Sequence, residues 1–475
     1  MPSDRALHDA LTTSFRHAIH YIDEQDTAPV AALASAAMLR QQLDVPLTEE
    51  GCDPAKVIDE LAAAVQGGLA TVTGGRFFGW VNGGSLPAAL AADWLTSVWD
   101  QNASLYVVAP AASVIEEIAG RWLKEILRLP ATASFAFVTG CQMAHITCLA
   151  AARHELLHRR GWDVEQDGLS GTPPIRILTS VERHGSALRA VRLLGLGEKH
   201  IFALPSDANG QLSAANLRAA LEKAPSQPTI VLLQAGDLNI GAFDNFTELI
   251  PLAHEFDAWV HIDGAFGLWT ASSPRYRHLV EGAAAADSWA TDGHKWLNVP
   301  YDCGYAFVAH PAAHRAAFSY DAPYIRSTEL ARNPIDWTPE WSRRARGFST
   351  YAALRQLGRQ GIAALMERTC AHAHALAIGL AALPGAELLW GPQINQGLVR
   401  FLSPLPHATE TQHDEFTDRV VEKIAAAGEA LFSNTTWRGK RAMRISVCNW
   451  QTSSADVERV VHSVAGVLSA MREAE

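Results

Sequence analysis

The sequence has no cysteines at CxxC spacing: Cys52, Cys141, Cys148, Cys303, Cys370 and Cys448 are scattered through 475 residues. That spacing argues against a disulfide-stapled scaffold and suits thiols kept reduced. There is no run of about 18 apolar residues, so no membrane span is expected. Nor is there a block of Lys and Arg. With 39 basic and 50 acidic residues the formal net charge is −11, which argues against a nucleic-acid partner. The N-terminal stretch MPSDRALHDALTTSFRHAIHYIDEQD carries charges throughout and lacks the apolar core of a signal peptide, so a cytoplasmic location is expected. A Walker A sequence is absent, and Gly195-Leu196-Gly197 lacks the spacing of a dinucleotide fingerprint.

What is present reads as three segments. Residues 1–75 carry short amphipathic helices, such as LHDALTTSFRHAIHYI and DPAKVIDELAAAVQGGL, which cannot bury their apolar faces alone. Residues 76–350 contain buried strands alternating with helices: SFAFVTG, PIRILTS, HIFALP, PTIVLLQAG, AWVHID and CGYAFVAH are the strand-like runs. This alternation predicts an α/β fold, a parallel or mixed sheet with helices on both faces. Residues 351–475 return to long helices with two strand-like pieces, GLVRFLS and AMRISVCNW, forming a small C-terminal α/β unit. Ligands in such sheets bind at the carboxyl ends of the strands.

The residues at those ends carry the chemistry. In DSWATDGHKWLNVPYDCG, Lys295 sits between His294 and Trp296. A lysine in an apolar pocket has its pKa lowered and can attack an aldehyde, although a surface lysine shielding its stem is the ordinary alternative. Asp263 ends the strand AWVHID, where a buried carboxylate needs a cation or donors; a pyridinium nitrogen is one such partner, a turn-forming Asp before Gly264 the other reading. His184 follows PIRILTS, placed to stack on a flat ring or to start a helix. Gly140, Cys141 and Gln142 lie between a strand and a helix, where backbone N–H groups attract phosphate. Separately, His154-Glu155-Leu156-Leu157-His158 fits the HExxH zinc pattern, but no third ligand is evident, and no metal is expected.

Taken in order, the phosphate turn, the stacking histidine, the aspartate and the lysine resemble the group II pyridoxal-phosphate-dependent amino acid decarboxylases, which include the aromatic amino acid and glutamate decarboxylases. The motifs that carry the resemblance are FFGWVNGGSLPAALAADWL, APAASVIEE, HGSALRAVRLLGLG, GAFDNF, HIDGAFG, ADSWATDGHKWLNVPYDCG, SRRARGF and MRISVCN, over roughly residues 70–455.

The resemblance implies an aspartate-aminotransferase-like fold (fold type I): a mixed seven-stranded sheet, an N-terminal helical segment and a small C-terminal α/β domain. It implies that Lys295 forms a Schiff base with pyridoxal 5′-phosphate, that Asp263 pairs with the ring nitrogen, that His184 stacks on one ring face and that Ala265 packs on the other. His294, Gly140, Cys141 and Gln142 would hold the phosphate. Phe78 and Trp80 would line the substrate side, and Arg444 would bind a substrate carboxylate. A homodimer with the cofactor near the subunit interface is implied too. The expected reaction is decarboxylation of an aromatic or bulky apolar L-amino acid, with an aminotransferase or an aldehyde-forming oxidative decarboxylase as the alternative. Three departures bear on that choice. Cys141-Gln142-Met143 replaces a turn usually containing Ser and Glu. Gly236-Asp237-Leu238-Asn239 replaces a Gly-Thr-Thr, with Asn239 as a substitute. Pro334 stands three residues before Trp337, where aromatic decarboxylases have a proton-donating tyrosine; Tyr320 and Tyr324 lie nearby in sequence.

Overall fold

The computed structural model describes residues 4–320 and 331–474. Its centre is a seven-stranded sheet built from β1 (Ser134–Val138), β2 (Arg176–Ser180), β3 (Ile201–Leu204), β4 (Thr229–Gln234), β5 (Trp259–Asp263), β6 (Ser288–Asp292) and β7 (Gly304–Val308), in the order β1-β7-β6-β5-β4-β2-β3. Neighbours from β6 to β3 run parallel, while β7 runs antiparallel to both β1 and β6. All these strands are buried along their whole length except the edge strand β3. Helices therefore cover both faces, which is why the strands read as near-continuous apolar runs.

Three helices precede the sheet: α1 (Asp4–Glu24), α2 (Ala36–Leu43) and α3 (Pro54–Val65). Ser35 and Asp53 cap α2 and α3 by accepting the Met38 and Lys56 N–H groups. Then come α4 (Pro87–Trp99) and α5 (Pro110–Ile126), each with proline in its first turn, where the missing N–H costs no hydrogen bond. Helix α6 (Cys141–His158) follows β1 and packs on β5, β6 and β7.

A second, antiparallel sheet has the order β10-β11-β9-β8, formed by β8 (Ala386–Trp390), β9 (Gln396–Phe401), β10 (Ser433–Trp437) and β11 (Lys440–Ser446). Arg438 and Gly439 form the two-residue turn of the β10–β11 hairpin, both with positive φ, the twist such a hairpin favours. The helix Gly347–Ala381 runs continuously across the expected 350/351 border and kinks at Gly358, whose φ of +60° suits a residue without Cβ. Phe77 and Phe78 pair with Leu431, so the chain just past residue 75 joins the C-terminal lobe.

Candidate active site

The carboxyl ends of β1, β5 and β6 converge. Asp292 ends β6, fully buried, and binds in two directions. Its Oδ1 accepts the Cys141 N–H at 2.6 Å at the start of α6, and its Oδ2 lies 3.0 Å from Lys295 Nζ. Lys295 occupies the turn after β6. Burial alone pushes its pKa down, but Asp292, Cys141 and Asp263 outweigh that and hold it above the ordinary lysine value. This corrects the expectation of a lowered lysine: the surroundings are carboxylates, not only apolar groups, and the ammonium form is favoured.

His294 lies beside it, with Nδ1 accepting the Cys303 N–H at 3.1 Å, Nε2 3.5 Å from Asp292 Oδ1, and the ring stacked on Tyr301 at 4.4 Å. Burial lowers its pKa, so the ring is neutral near pH 7. Gly140 is needed here for close approach: a Cβ would sit 2.8 Å from His294 Cε1, and a Cβ on Gly304 would sit 2.5 Å from Gly140 Cα.

Asp263 is nearly buried at the end of β5. Its Oδ1 accepts the Ala265 N–H at 3.1 Å, and its Oδ2 faces His145 Nε2 at 3.4 Å. Burial pushes its pKa up, but His145, His184 and Lys295 together hold it below the usual carboxylate range, so it stays ionised. Ala265 lies half-buried against the main core. His184 is the N-cap of the helix Gly185–Leu193, with Nδ1 accepting the Ser186 N–H at 3.2 Å. Its outer edge is accessible, yet the protein around the ring pushes its pKa down. The helix-start reading describes this residue.

Gln142 Nε2 is buried with no hydrogen-bond partner at the start of α6, a donor free to meet a phosphate oxygen. Arg444, buried on β11, donates from Nη2 to Trp80 O at 3.1 Å and from Nη1 to Ser433 Oγ at 3.4 Å, while its Nε has no acceptor. Burial lowers its pKa to about 10, against the pull of Asp237. Trp80 is 57% exposed, has positive φ and stacks on Phe77. Phe78 is different: it is 0% exposed and stacks on Phe432 inside the C-terminal core. It is removed from the substrate-side set because its own chain already covers it.

The altered turn after β4 is organised by Asp237, whose carboxylate accepts the N–H groups of Asn239, Ile240 and Ala242. Asn239 itself turns to the small sheet and accepts the Thr435 hydroxyl at 2.8 Å. Tyr320 is exposed and packs edge-on against Trp341, and Tyr324 lies outside the described residues. In the HExxH stretch His154 bonds Glu165 and Glu155 bonds Arg159. Among the described residues the only grouping of three His, Cys, Asp or Glu side chains close enough to share an ion is Cys141, His145 and Asp263.

Four contributors escaped the sequence reading: Asp292, His145, Gly83 and Asn298. A Cβ on Gly83 would lie 1.9 Å from the Lys295 carbonyl oxygen. Asn298 accepts the N–H groups of Gly84 and Trp450 and donates to Trp296 O and Cys448 O, tying three segments around the lysine turn.

The strand ends thus bring together Lys295 against the Asp292 carboxylate, an ionised Asp263 and an unpartnered Gln142 amide at the start of α6. The sequence profile of the pyridoxal-dependent decarboxylase conserved domain matches residues 37–403, and the chain belongs to that family. It is 26% identical over 456 residues to an aromatic-L-amino-acid decarboxylase of Bacillus atrophaeus, covering 94% of this chain and 92% of that one. It is 28% identical over 387 residues to an L-2,4-diaminobutyrate decarboxylase of Rhizobium meliloti, covering 79% and 74%. The crystal structure of Oryza sativa TDC with PLP and tryptamine superposes with a TM-score of 0.92 at 21% identity, over 99% of both chains, and shares this fold. The protein is a pyridoxal-phosphate-dependent enzyme of amino acid decarboxylation. No helix among the described residues is long and apolar enough to cross a membrane.

Proposed function

We propose that the substrate is an aromatic or bulky apolar L-amino acid, converted to its amine and carbon dioxide in a cytoplasmic homodimer. The observation that carries the substrate class is Trp80: its side chain is exposed, while its backbone carbonyl accepts from Arg444, a buried guanidinium with an unused Nε donor. Gln142 and the start of α6 would hold the cofactor phosphate, Asp263 the ring nitrogen and Lys295 the aldehyde carbon, with His184 and Ala265 against the ring. When bound, pyridoxal phosphate supplies a carbonyl for the substrate amine and a conjugated ring that takes up the electron pair left by departing carbon dioxide.

The residues then do the rest. Arg444 Nε takes a substrate carboxylate and fixes the orientation of the breaking bond. Asp263 keeps its negative charge toward the ring nitrogen. Lys295, when free, would be held by Asp292 as an ammonium, a proton source that stays inside the site. The dimer reading rests on α1, whose Leu7, Leu11, Phe15, Ile19 and Ile22 are all exposed, joined by Trp94, Val98 and Trp99 of α4. An apolar surface of that extent is out of place on a monomer.

The test is carbon dioxide release from a panel of carboxyl-labelled L-amino acids, with Lys295→Ala as control. Release with an amine product from aromatic substrates, lost in the variant, supports the reading. An aldehyde or keto acid in place of the amine, or preference for an acidic or diamino substrate, overturns it.

A further inference from the structure

Next to Asp263 a row of buried polar groups links α6, β5 and β6. His145 stands one turn after Cys141 on α6, and His261 stands two residues before Asp263 on the same face of β5. Both rings are fully buried. His145 Nδ1 and His261 Nε2 are 2.9 Å apart with the rings nearly perpendicular, His261 Nδ1 is 2.8 Å from Ser288 Oγ, and Trp259 Nε1 is 2.9 Å from the same oxygen.

The two ends of this row fix its direction. The Trp259 indole can only donate, and the Asp263 carboxylate only accepts. Donors running from indole to carboxylate satisfy each member in turn: Trp259 Nε1–H to Ser288 Oγ, Ser288 O–H to His261 Nδ1, His261 Nε2–H to His145 Nδ1. That leaves the His145 Nε2–H, which is buried and has no hydrogen-bond partner of its own, facing Asp263 Oδ2 at 3.4 Å. Burial and the neighbouring His145 push the His261 pKa down to about 3, so that ring is neutral in this order.

We infer that His145, oriented by His261 and Ser288, is a positioning residue that aims one Asp263 oxygen and holds the carboxylate ionised toward the cofactor's ring nitrogen. This rests on the reading of Asp263 as the partner of that nitrogen. Successive hydrogen bonds polarise one another, so the aligned row strengthens the last donor. A leucine at 145 would remove the donor and leave His261 Nε2–H without an acceptor. A glutamine would retain an N–H able to reach Asp263. The other groups facing Asp263 are His184, Lys295 and Cys141, none of which belongs to the row.

The experiment uses the holoenzyme reconstituted with pyridoxal phosphate carrying 15N in its ring, comparing wild type, Asp263→Asn, His145→Leu, His145→Gln and His261→Phe. The readouts are the ring 15N chemical shift, cofactor Kd and thermal unfolding of the apoenzyme. Asp263→Asn tests the underlying reading: a deprotonated ring shows that Asp263 serves the nitrogen, and an unchanged ring removes it. Given that, His145→Leu moves the 15N signal toward the unprotonated value and raises Kd by about tenfold, the loss of the imidazole facing the Asp263 carboxylate. His145→Gln restores most of both, and His261→Phe shifts the signal the same way by less. An unchanged 15N shift and Kd in His145→Leu or, should that variant not fold, in His261→Phe overturns the inference. Failure of His145→Gln to recover the signal overturns it equally.

Discussion

Asp292 Oδ2 stands 3.0 Å from Lys295 Nζ, and this contact sets the charge of the lysine before any cofactor arrives. An amine attacks an aldehyde only when unprotonated, so the contact opposes the first capture of the cofactor while keeping the free lysine in place afterwards. Asp292→Asn lowers the Lys295 pKa and removes a negative charge from the start of α6. Apoenzyme carrying it should capture pyridoxal phosphate faster at pH 7, by about tenfold for each unit of lowered pKa. Stopped-flow absorbance measures this directly, and equal or slower capture would show that Asp292 does not restrain the lysine.

Far from the site, Asp287 joins two helix ends, with Oδ2 3.0 Å from His254 Nε2 and Oδ1 2.8 Å from His310 Nε2. The bond to Asp287 raises the His254 pKa, so its share of stability is full below about 6.5 and is lost as pH climbs through the raised value. Burial pushes the Asp287 pKa up, but His254, His310 and the Val260 N–H outweigh it and lower it. Its share is present above about 3.9 and lost as pH falls through the lowered value. The Tm gap between wild type and Asp287→Asn should therefore be widest between roughly pH 4 and 6.5 and narrow on either side. A gap independent of pH would sink the idea.

Phe78 and Trp80 should separate by measurement. Phe78→Ala opens a cavity against Phe432 and costs about 3–5 kcal/mol in denaturant unfolding. Trp80→Ala changes stability little but raises KM for bulky substrates several-fold. If Phe78→Ala folds normally and raises KM instead, the core placement is wrong.

The α1 face offers a test of association. Phe15→Glu, placed among Leu11, Ile19 and Trp94, should shift the sedimenting species from dimer to monomer and lower activity with it. A wild-type chain that already sediments as an active monomer would refute the dimer.

The parts of the site that were legible in the sequence are those fixed by local grammar. Asp263 ends a buried strand and His184, Lys295 and Gly140 follow one, and strand ends in such a sheet are where ligands sit. What was not legible depends on contacts between distant segments. Asp292 lies only three residues before Lys295, but its second bond, to the Cys141 N–H, depends on α6 arriving at the same strand end. Phe78 read as part of an aromatic substrate loop because nothing near it announces the pairing with Leu431. His261 did leave a signal: a second polar residue at i−2 from Asp263, on one face of a fully buried strand, asks for a partner.

The reversed direction of β7 has a consequence for the lysine. Two adjacent parallel strands need a crossover, usually a helix of a dozen residues or more, and a crossover would carry the chain away from the sheet's active end. Because β7 returns antiparallel, residues 293–303 close as a short bracket with both feet clamped in the sheet, Asp292 paired with Gly304 across its base. The backbone beneath Lys295 thus has little freedom to swing, and moving between cofactor and solvent becomes a matter of four side-chain torsions rather than of a loop.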